Sequence, residues 1–124
     1  MASKILVVDD EPNILLSLEF LMKHAGFQVR TAGDGDAALA AVATEVPDLV
    51  LLDVMMPRRD GYEVCQAIRQ NPALAHVKII MLTAKGRDVE REKGLALGAD
   101  DYIIKPFATQ ELVNKVKELL AGGS

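Results

Sequence analysis

Short apolar runs alternate with longer amphipathic segments along the whole chain. The runs are about four or five residues long, and Val, Ile and Leu occupy both faces of most of them. That composition is typical of parallel strands that are buried on both sides of a sheet. The runs predict strands at Lys4–Val8, Val29–Ala32, Leu49–Leu52, Ile79–Leu82 and Tyr102–Ile104.

The segments between and after these runs have helical spacing. Apolar residues recur there at intervals that place them on one face of a helix. They are Ile14, Leu18, Leu21 and Met22, then Ala38, Ala41 and Val42, then Val64 and Ile68, then the shorter segment Val89–Leu97, and finally Leu112, Val116, Leu119 and Leu120. Pro12 and Asp60 are typical of helix starts, and Gly26, Gly94 and Gly98 are expected at or near helix ends. This alternation predicts an α/β domain in which helices cover both faces of one five-stranded parallel sheet.

The length of 124 residues predicts a single domain, and a hydrophobic content of 50% is enough to form its core. The longest apolar run, Ala37–Ala43, is far shorter than the ~20 residues that cross a bilayer. The first residues lack the layout of a signal peptide. We therefore expect a soluble, cytoplasmic domain over residues 1–121, with residues 122–124 as a tail or the stump of a linker.

The charge balance excludes some classes of partner and site. A net charge of −4 argues against direct nucleic-acid binding by this domain, because such domains usually carry a basic face. Cys65 is the only cysteine, and together with His24 and His76 it offers neither a disulfide nor a zinc-ligand set. Any bound metal is therefore expected to be hard and held by oxygen. Arg58 and Arg59 are expected at a solvated loop edge.

Polar residues follow four of the five predicted strands, at the carboxyl ends where open α/β sheets bind ligands. Asp9 and Asp10 follow the first strand, Asp53 the third, Thr83–Ala84 the fourth and Lys105 the fifth. Each residue alone could be a turn former, a helix cap or a solvated lysine. Three converging carboxylates, however, repel one another unless a cation such as Mg²⁺ lies among them. With a lysine and a hydroxyl nearby they form a phosphoryl site, in which the central carboxylate can act as a nucleophile.

Five motifs give the chain its resemblance to the receiver domains of two-component response regulators. They are Ile5–Glu11, Leu51–Pro57 with Asp60–Gly61, Met81–Ala84, Gly98–Tyr102 and Lys105–Phe107, in family order and spacing. The resemblance extends from Lys4 to Leu120. It implies a flavodoxin-like receiver fold with strand order 2-1-3-4-5.

The resemblance also implies a phosphorylation site that uses Mg²⁺. Asp53 would accept a phosphoryl group from a sensor histidine kinase or a phosphotransfer protein. Asp10 would bind Mg²⁺ directly and Asp9 through water, and the carbonyl of Met55 would complete the protein ligands. The domain would catalyse its own phosphorylation and slow hydrolysis, and would act as a switch and not as a metabolic enzyme.

Four further residues acquire roles from the same resemblance. Thr83 and the backbone amide of Ala84 would receive phosphoryl oxygens, and Lys105 would pair with the phosphate. The Lys105–Pro106 bond is expected to be cis. Tyr102 would be the switch aromatic, which turns inward when Thr83 moves toward the phosphoryl group; the alternative for Tyr102 is a half-buried core aromatic.

Two other functions compete with this interpretation. A haloacid-dehalogenase-like phosphatase also uses an Asp nucleophile with Mg²⁺, but its turnover needs a second Asp two residues later as general acid–base. Met55 occupies that position here. A flavodoxin-like binding domain needs a phosphate-binding loop after the first strand, where Asp9 and Asp10 would repel phosphate.

Many DNA-binding regulators of the resembled family dimerise when active through the fourth helix, fifth strand and fifth helix. Matching positions in this chain are Arg91 with Glu111, Asp101 with Lys115, and the apolar pair Leu95 and Val113. Two residues depart from that pattern. Glu92 puts a charge where the apolar patch expects an apolar residue, and Glu118 stands where a basic partner for Asp100 is expected. A homodimer through this face is therefore a hypothesis, and solvated helix faces are its alternative.

Overall fold

Five strands and five α-helices alternate in the computed structural model, which describes residues 2–84 and 88–122, without the side chains of residues 88–91 and 122. The strands are β1 (Lys4–Val8), β2 (Gln28–Ala32), β3 (Leu49–Asp53), β4 (Lys78–Thr83) and β5 (Asp101–Ile104). The helices are α1 (Pro12–His24), α2 (Gly35–Thr44), α3 (Gly61–Arg69), α4 (Asp88–Ala96) and α5 (Thr109–Gly122), and a short 3-10 helix lies at Pro72–Leu74. Each strand end lies within one residue of its predicted position.

All the strand pairs are parallel, and the sheet has the order β2-β1-β3-β4-β5. The register pairs Val7 with Leu51, Asp53 with Leu82, and Thr83 with Ile104. The predicted architecture is therefore confirmed, and the carboxyl ends of β1, β3, β4 and β5 meet at one edge.

The sheet separates two apolar clusters, because alternate residues of a strand point to opposite faces. One cluster packs under α2 and α3 and contains Leu6, Val8, Val50, Leu52, Ile79 and Met81 from the strands. The other packs under α1 and α5 and contains Ile5, Val7, Leu49, Leu51, Ile80 and Leu82. The central strands are apolar on both faces for this reason.

Local residues fix most helix ends as predicted. Pro12 opens α1, and the side chain of Asp60 accepts a hydrogen bond from the amide of Glu63 at 2.9 Å. Such an N-cap stabilises a helix by roughly 1 kcal/mol. Gly94 lies in the last turn of α4, two residues before its end at Ala96, and a Cβ there would make an ordinary contact of 3.6 Å with the side chain of Met81.

Cys65 lies in the core. It is fully buried, and burial raises the pKa of its thiol to about 11.

Helix α5 is described as far as Gly122, and residues 123–124 of the predicted tail lie outside the described residues. Within the described ranges, every helix is too short or too polar to span a bilayer.

Two glycines with positive φ allow a matched test of backbone strain and packing. Gly26 has φ +99° with open space around it, whereas a Cβ on Gly98 (φ +107°) would lie 2.6 Å from Cγ of Arg69. We expect Gly26→Ala to cost about 1–2 kcal/mol through its backbone conformation. Gly98→Ala should cost a further ~1–3 kcal/mol through overpacking. Urea unfolding measures both values, and equal losses would contradict the packing account.

Candidate functional site

Three carboxylates converge at the carboxyl edge of the sheet, as predicted. One carboxylate oxygen from each of Asp9, Asp10 and Asp53 lies within 4.8 Å of the other two. Asp9 and Asp53 are 0% and 4% exposed, whereas Asp10 is open to solvent. The cluster therefore has a buried inner side and an accessible outer side.

Lys105 connects two of these carboxylates. Its Nζ lies 3.0 Å from Oδ2 of Asp9 and 3.2 Å from Oδ1 of Asp53. Its backbone amide donates a hydrogen bond of 2.6 Å to the carbonyl of Thr83, at the end of β4. The Lys105–Pro106 peptide bond is cis, which confirms that expectation.

Burial and neighbouring charge shift the titration of the site. Burial, followed by the negative charge of Asp9, raises the pKa of Asp53 to about 6, although Lys105 and the backbone amide of Met55 stabilise its ionised form. Burial alone would lower the pKa of Lys105, but its hydrogen bond to Asp9 and the charge of Asp53 outweigh burial and raise that pKa. One lysine thus only partly offsets the repulsion between the carboxylates.

The donor set fits a hard divalent cation. The three converging side chains offer only oxygen, carry excess negative charge, and leave Asp10 accessible from solvent. Mg²⁺ prefers such carboxylates together with water. The backbone amide of Met55 donates to the carboxylate of Asp53, while its side chain is 62% exposed; the ligand role of its carbonyl stays a prediction.

Thr83 and Ala84 lie beside this cluster, at the end of β4. Thr83 is 6% exposed, whereas Ala84 is exposed. Thr83 also lines a cavity of about 10 Å³ together with Tyr102, Gly94 and Leu95. That volume holds about one water molecule and no aromatic ring. The predicted switch residues therefore border one small cavity, and Tyr102 itself is half-buried.

An apolar groove beside Lys105 is a feature that the sequence analysis missed. Its volume is about 600 Å³, and its lining residues include Ile14, Leu18, Phe20, Leu21, Lys105 and Phe107. The available signal was in α1, because Phe20 falls outside the apolar stripe of that helix. This side chain is 71% exposed.

Arg58 and Arg59 lie at a solvated loop edge, as expected, and both also form ion pairs. Both are at least partly exposed, but Nε of Arg59 lies 2.7 Å from Oδ1 of Asp36, and a guanidinium nitrogen of Arg58 lies 3.5 Å from Oδ2 of Asp34. These ion pairs join the β3–α3 loop to the start of α2.

Residues of the predicted dimer face already have partners within the chain. Nζ of Lys115 lies 3.1 Å from Asp101, and the guanidinium of Arg69 lies 2.8 Å from Asp100. Val113 is buried, whereas Leu95 is 39% exposed. Glu111 is exposed, and the side chain of Arg91 lies outside the described residues.

In metal-free buffer, Asp53→Asn should stabilise the fold at neutral pH. The pKa of Asp53 is about 6 in the folded protein, against 3.8 as its ordinary value. Between these values the folded protein binds more protons than the unfolded chain, so stability falls as the pH rises from about 4 to about 6. The pH-dependent gain from Asp53→Asn should vanish near pH 4 and reach at most about 3 kcal/mol above pH 6. Urea unfolding in EDTA measures it, and a gain that does not change with pH would contradict the raised pKa.

Comparison with known proteins agrees with this geometry. The family model for the response regulator receiver domain matches residues 5–117. The chain is 48% identical over 120 residues to the alkaline phosphatase synthesis transcriptional regulatory protein PhoP of Bacillus subtilis (strain 168). The match covers 97% of this chain and 49% of PhoP, so the chain spans about half the length of that relative.

Two solved structures share the fold closely. A putative response regulator from Chloroflexus aurantiacus J-10-fl is 40% identical with a TM-score of 0.93, over 98% of this chain and 99% of that chain. The chemotaxis protein CheY4 of Vibrio cholerae is 31% identical with a TM-score of 0.91, over 96% and 99%. The predicted resemblance is confirmed: the chain belongs to the response regulator receiver domain family, whose members are signalling switches of two-component systems.

Proposed function

We propose that Asp53 accepts a phosphoryl group from a sensor histidine kinase or a phosphotransfer protein, with Mg²⁺ bound beside it in the cytoplasm. The observation that supports this proposal best is the ammonium of Lys105, which lies within 3.2 Å of both Asp53 and Asp9. It places a fixed positive charge in a cluster of three carboxylates. The lysine, together with a cation held by the carboxylates, can stabilise the negative oxygens of a transferred phosphoryl group.

In the proposed reaction an oxygen of Asp53 attacks phosphorus while the bond from phosphorus to the donor breaks, and an aspartyl phosphate forms. Lys105 then pairs with the phosphoryl oxygens, and the hydroxyl of Thr83 and the amide of Ala84 donate to them. Mg²⁺ supplies further positive charge to these oxygens when it is bound. Asp9, Asp10 and Asp53 would hold the metal.

A second Asp two residues after the acceptor would favour a phosphatase, and Met55 occupies that position instead. Its side chain has no group that can act as a general acid or base. The proposed chemistry is therefore one self-catalysed phosphorylation followed by slow autodephosphorylation, and not the steady turnover of a haloacid-dehalogenase-like enzyme.

The apolar groove beside Lys105 is the surface that we propose for the phosphodonor protein. Lys105 lines the groove and also contacts Asp53, so a protein that covers the groove lies next to the acceptor. Phe20, which is 71% exposed, gives this surface an aromatic side chain that is available to a partner.

The proposed switch joins Thr83 to Tyr102. A cavity of about 10 Å³ between them is too small for a phenol ring, so an inward turn of Tyr102 requires Gly94 and Leu95 of α4 to move. Little packing opposes that motion, because Gly94 is buried whereas the other residues of α4 whose side chains are described, 92, 93, 95 and 96, are exposed. Phosphorylation would thus act on the position of α4 by shifting a two-state equilibrium.

A homodimer through α4, β5 and α5 stays a proposal. Leu95 and Glu111 are accessible to a second copy, but Val113 is buried and Lys115 already pairs with Asp101 in its own chain. A dimer would therefore have to exchange this ion pair between subunits.

Asp53→Asn should abolish phosphoryl labelling, because it removes the nucleophilic carboxylate. The protein is incubated with acetyl phosphate and Mg²⁺, and its intact mass is measured. Asp101→Asn is the matched control, since its carboxylate lies outside the cluster, and it should be labelled like the parent. Chelation of Mg²⁺ should suppress labelling of the parent strongly. A full mass gain in Asp53→Asn would refute the assignment of the acceptor.

Thr83→Ala should accept the phosphoryl group but couple it only weakly to Tyr102. The variant lacks the hydroxyl that would move toward the phosphoryl oxygens. We expect the NMR chemical-shift changes of Tyr102 on beryllofluoride binding to be smaller than in the parent. Thr83→Ser keeps the hydroxyl and serves as the control. Changes of parental size in Thr83→Ala would exclude the coupling.

A further inference from the structure

The start of α2 is in close contact with the loop that follows the acceptor strand. A Cβ on Gly35, the first residue of α2, would lie 2.6 Å from the backbone oxygen of Arg59 and 2.9 Å from its Cβ. Real Cβ atoms do not approach a backbone oxygen so closely. The helix and the loop therefore touch at a point that only glycine permits.

The part of the loop at this contact has an unfavourable conformation. Arg58 has φ +65°, and the amide of Arg59 donates to the carbonyl of Pro57 at 2.8 Å, which closes a three-residue turn. A positive φ is costly for a residue with a side chain, and it persists where the surroundings hold it. Here the surroundings are α2: the backbone of Arg59 packs against Gly35, and ion pairs orient Arg59 toward Asp36 and Arg58 toward Asp34.

The two ends of the loop are fixed by backbone hydrogen bonds to the sheet and to each other. The amide of Val54 donates to Leu82 in β4 at 3.0 Å, and the amide of Gly61 donates back to the carbonyl of Val54 at 3.0 Å. The amide of Met55 donates to the carboxylate of Asp53. Because Val54 and Gly61 are held in this way, a displacement of the turn at residues 57–59 falls on the short stretch between them, which includes Met55.

We propose that Gly35, Asp36 and Arg59 are positioning residues for the acceptor loop. They hold the turn so that the backbone of Met55 stays in place beside Asp53, and they thereby set the affinity for Mg²⁺ and the rate of phosphorylation. The exposed ion pair contributes little to folding stability, so its effect lies in geometry. This inference rests on the function proposed above.

Gly35→Ala is the direct test, and Gly33→Ala is its control in the same connection. A Cβ on Gly33 would meet nothing within 4 Å, and its φ is not positive. In Gly35→Ala the turn must move by a large fraction of an ångström, and misplacements of that size reduce catalytic rates on the order of tenfold or more. We expect an affinity for Mg²⁺ that is about tenfold weaker by calorimetry, and labelling by acetyl phosphate at saturating Mg²⁺ that is about tenfold slower. Gly33→Ala should stay within about twofold of the parent.

Arg59→Gln and Asp36→Asn separate geometry from charge and do not introduce a clash. If the pair acted only through its charges, loss of the cation would strengthen Mg²⁺ binding and loss of the anion would weaken it. If the pair positions the loop, both variants should weaken binding by a similar factor, and the double variant should be no worse than either single variant.

The outcomes distinguish this inference from the function on which it rests. Parental Mg²⁺ affinity and labelling in Gly35→Ala would overturn the inference and leave the proposed function intact. Opposite shifts in Arg59→Gln and Asp36→Asn would also overturn it, even if Gly35→Ala did not fold. A parent protein that neither binds Mg²⁺ nor is labelled would overturn both.

Discussion

The contact of Lys105 with Asp9 and Asp53 joins residues from the ends of β1, β3 and β5, and the rest of the site depends on it. Buried carboxylates are costly unless an opposite charge lies near them. Lys105 is 96 positions from Asp9 and 52 from Asp53 in the sequence, so local structure alone cannot bring these residues together. They meet because β1, β3 and β5 run parallel and end at one edge, which requires a helical crossover between strands. The sheet order thus determines where the charges lie, and it brings three carboxylates and one lysine to the same edge.

Much of this arrangement could be predicted from the sequence, since it depends on short-range patterns. An apolar run buried on both faces identifies a strand without any knowledge of its neighbours. The residue that follows such a run then falls at the carboxyl edge, which is why Asp9, Asp53, Thr83 and Lys105 could be named in advance. The convergence of the three carboxylates followed from the same argument, and the structure bears it out.

What the sequence could not predict depends on which elements touch in three dimensions. The partner of Arg59 is Asp36, 23 positions earlier in another element, and no periodicity connects the two residues. The groove beside Lys105 requires α1 and the segment after β5 to lie side by side. In each case a tertiary contact decided the outcome against the local preference.

The two apolar clusters have a consequence for how many molecules this domain can bind at once. The groove of Phe20 and Phe107 belongs to the layer of α1 and α5, whereas the cavity beside Tyr102 belongs to the layer of α2 and α3, with α4 over it. The sheet lies between them, so a protein seated in the groove leaves the surface of α4 uncovered. On the assignments proposed above, a donor protein in the groove and a second partner on α4 would contact opposite faces of the sheet, so neither would block the other.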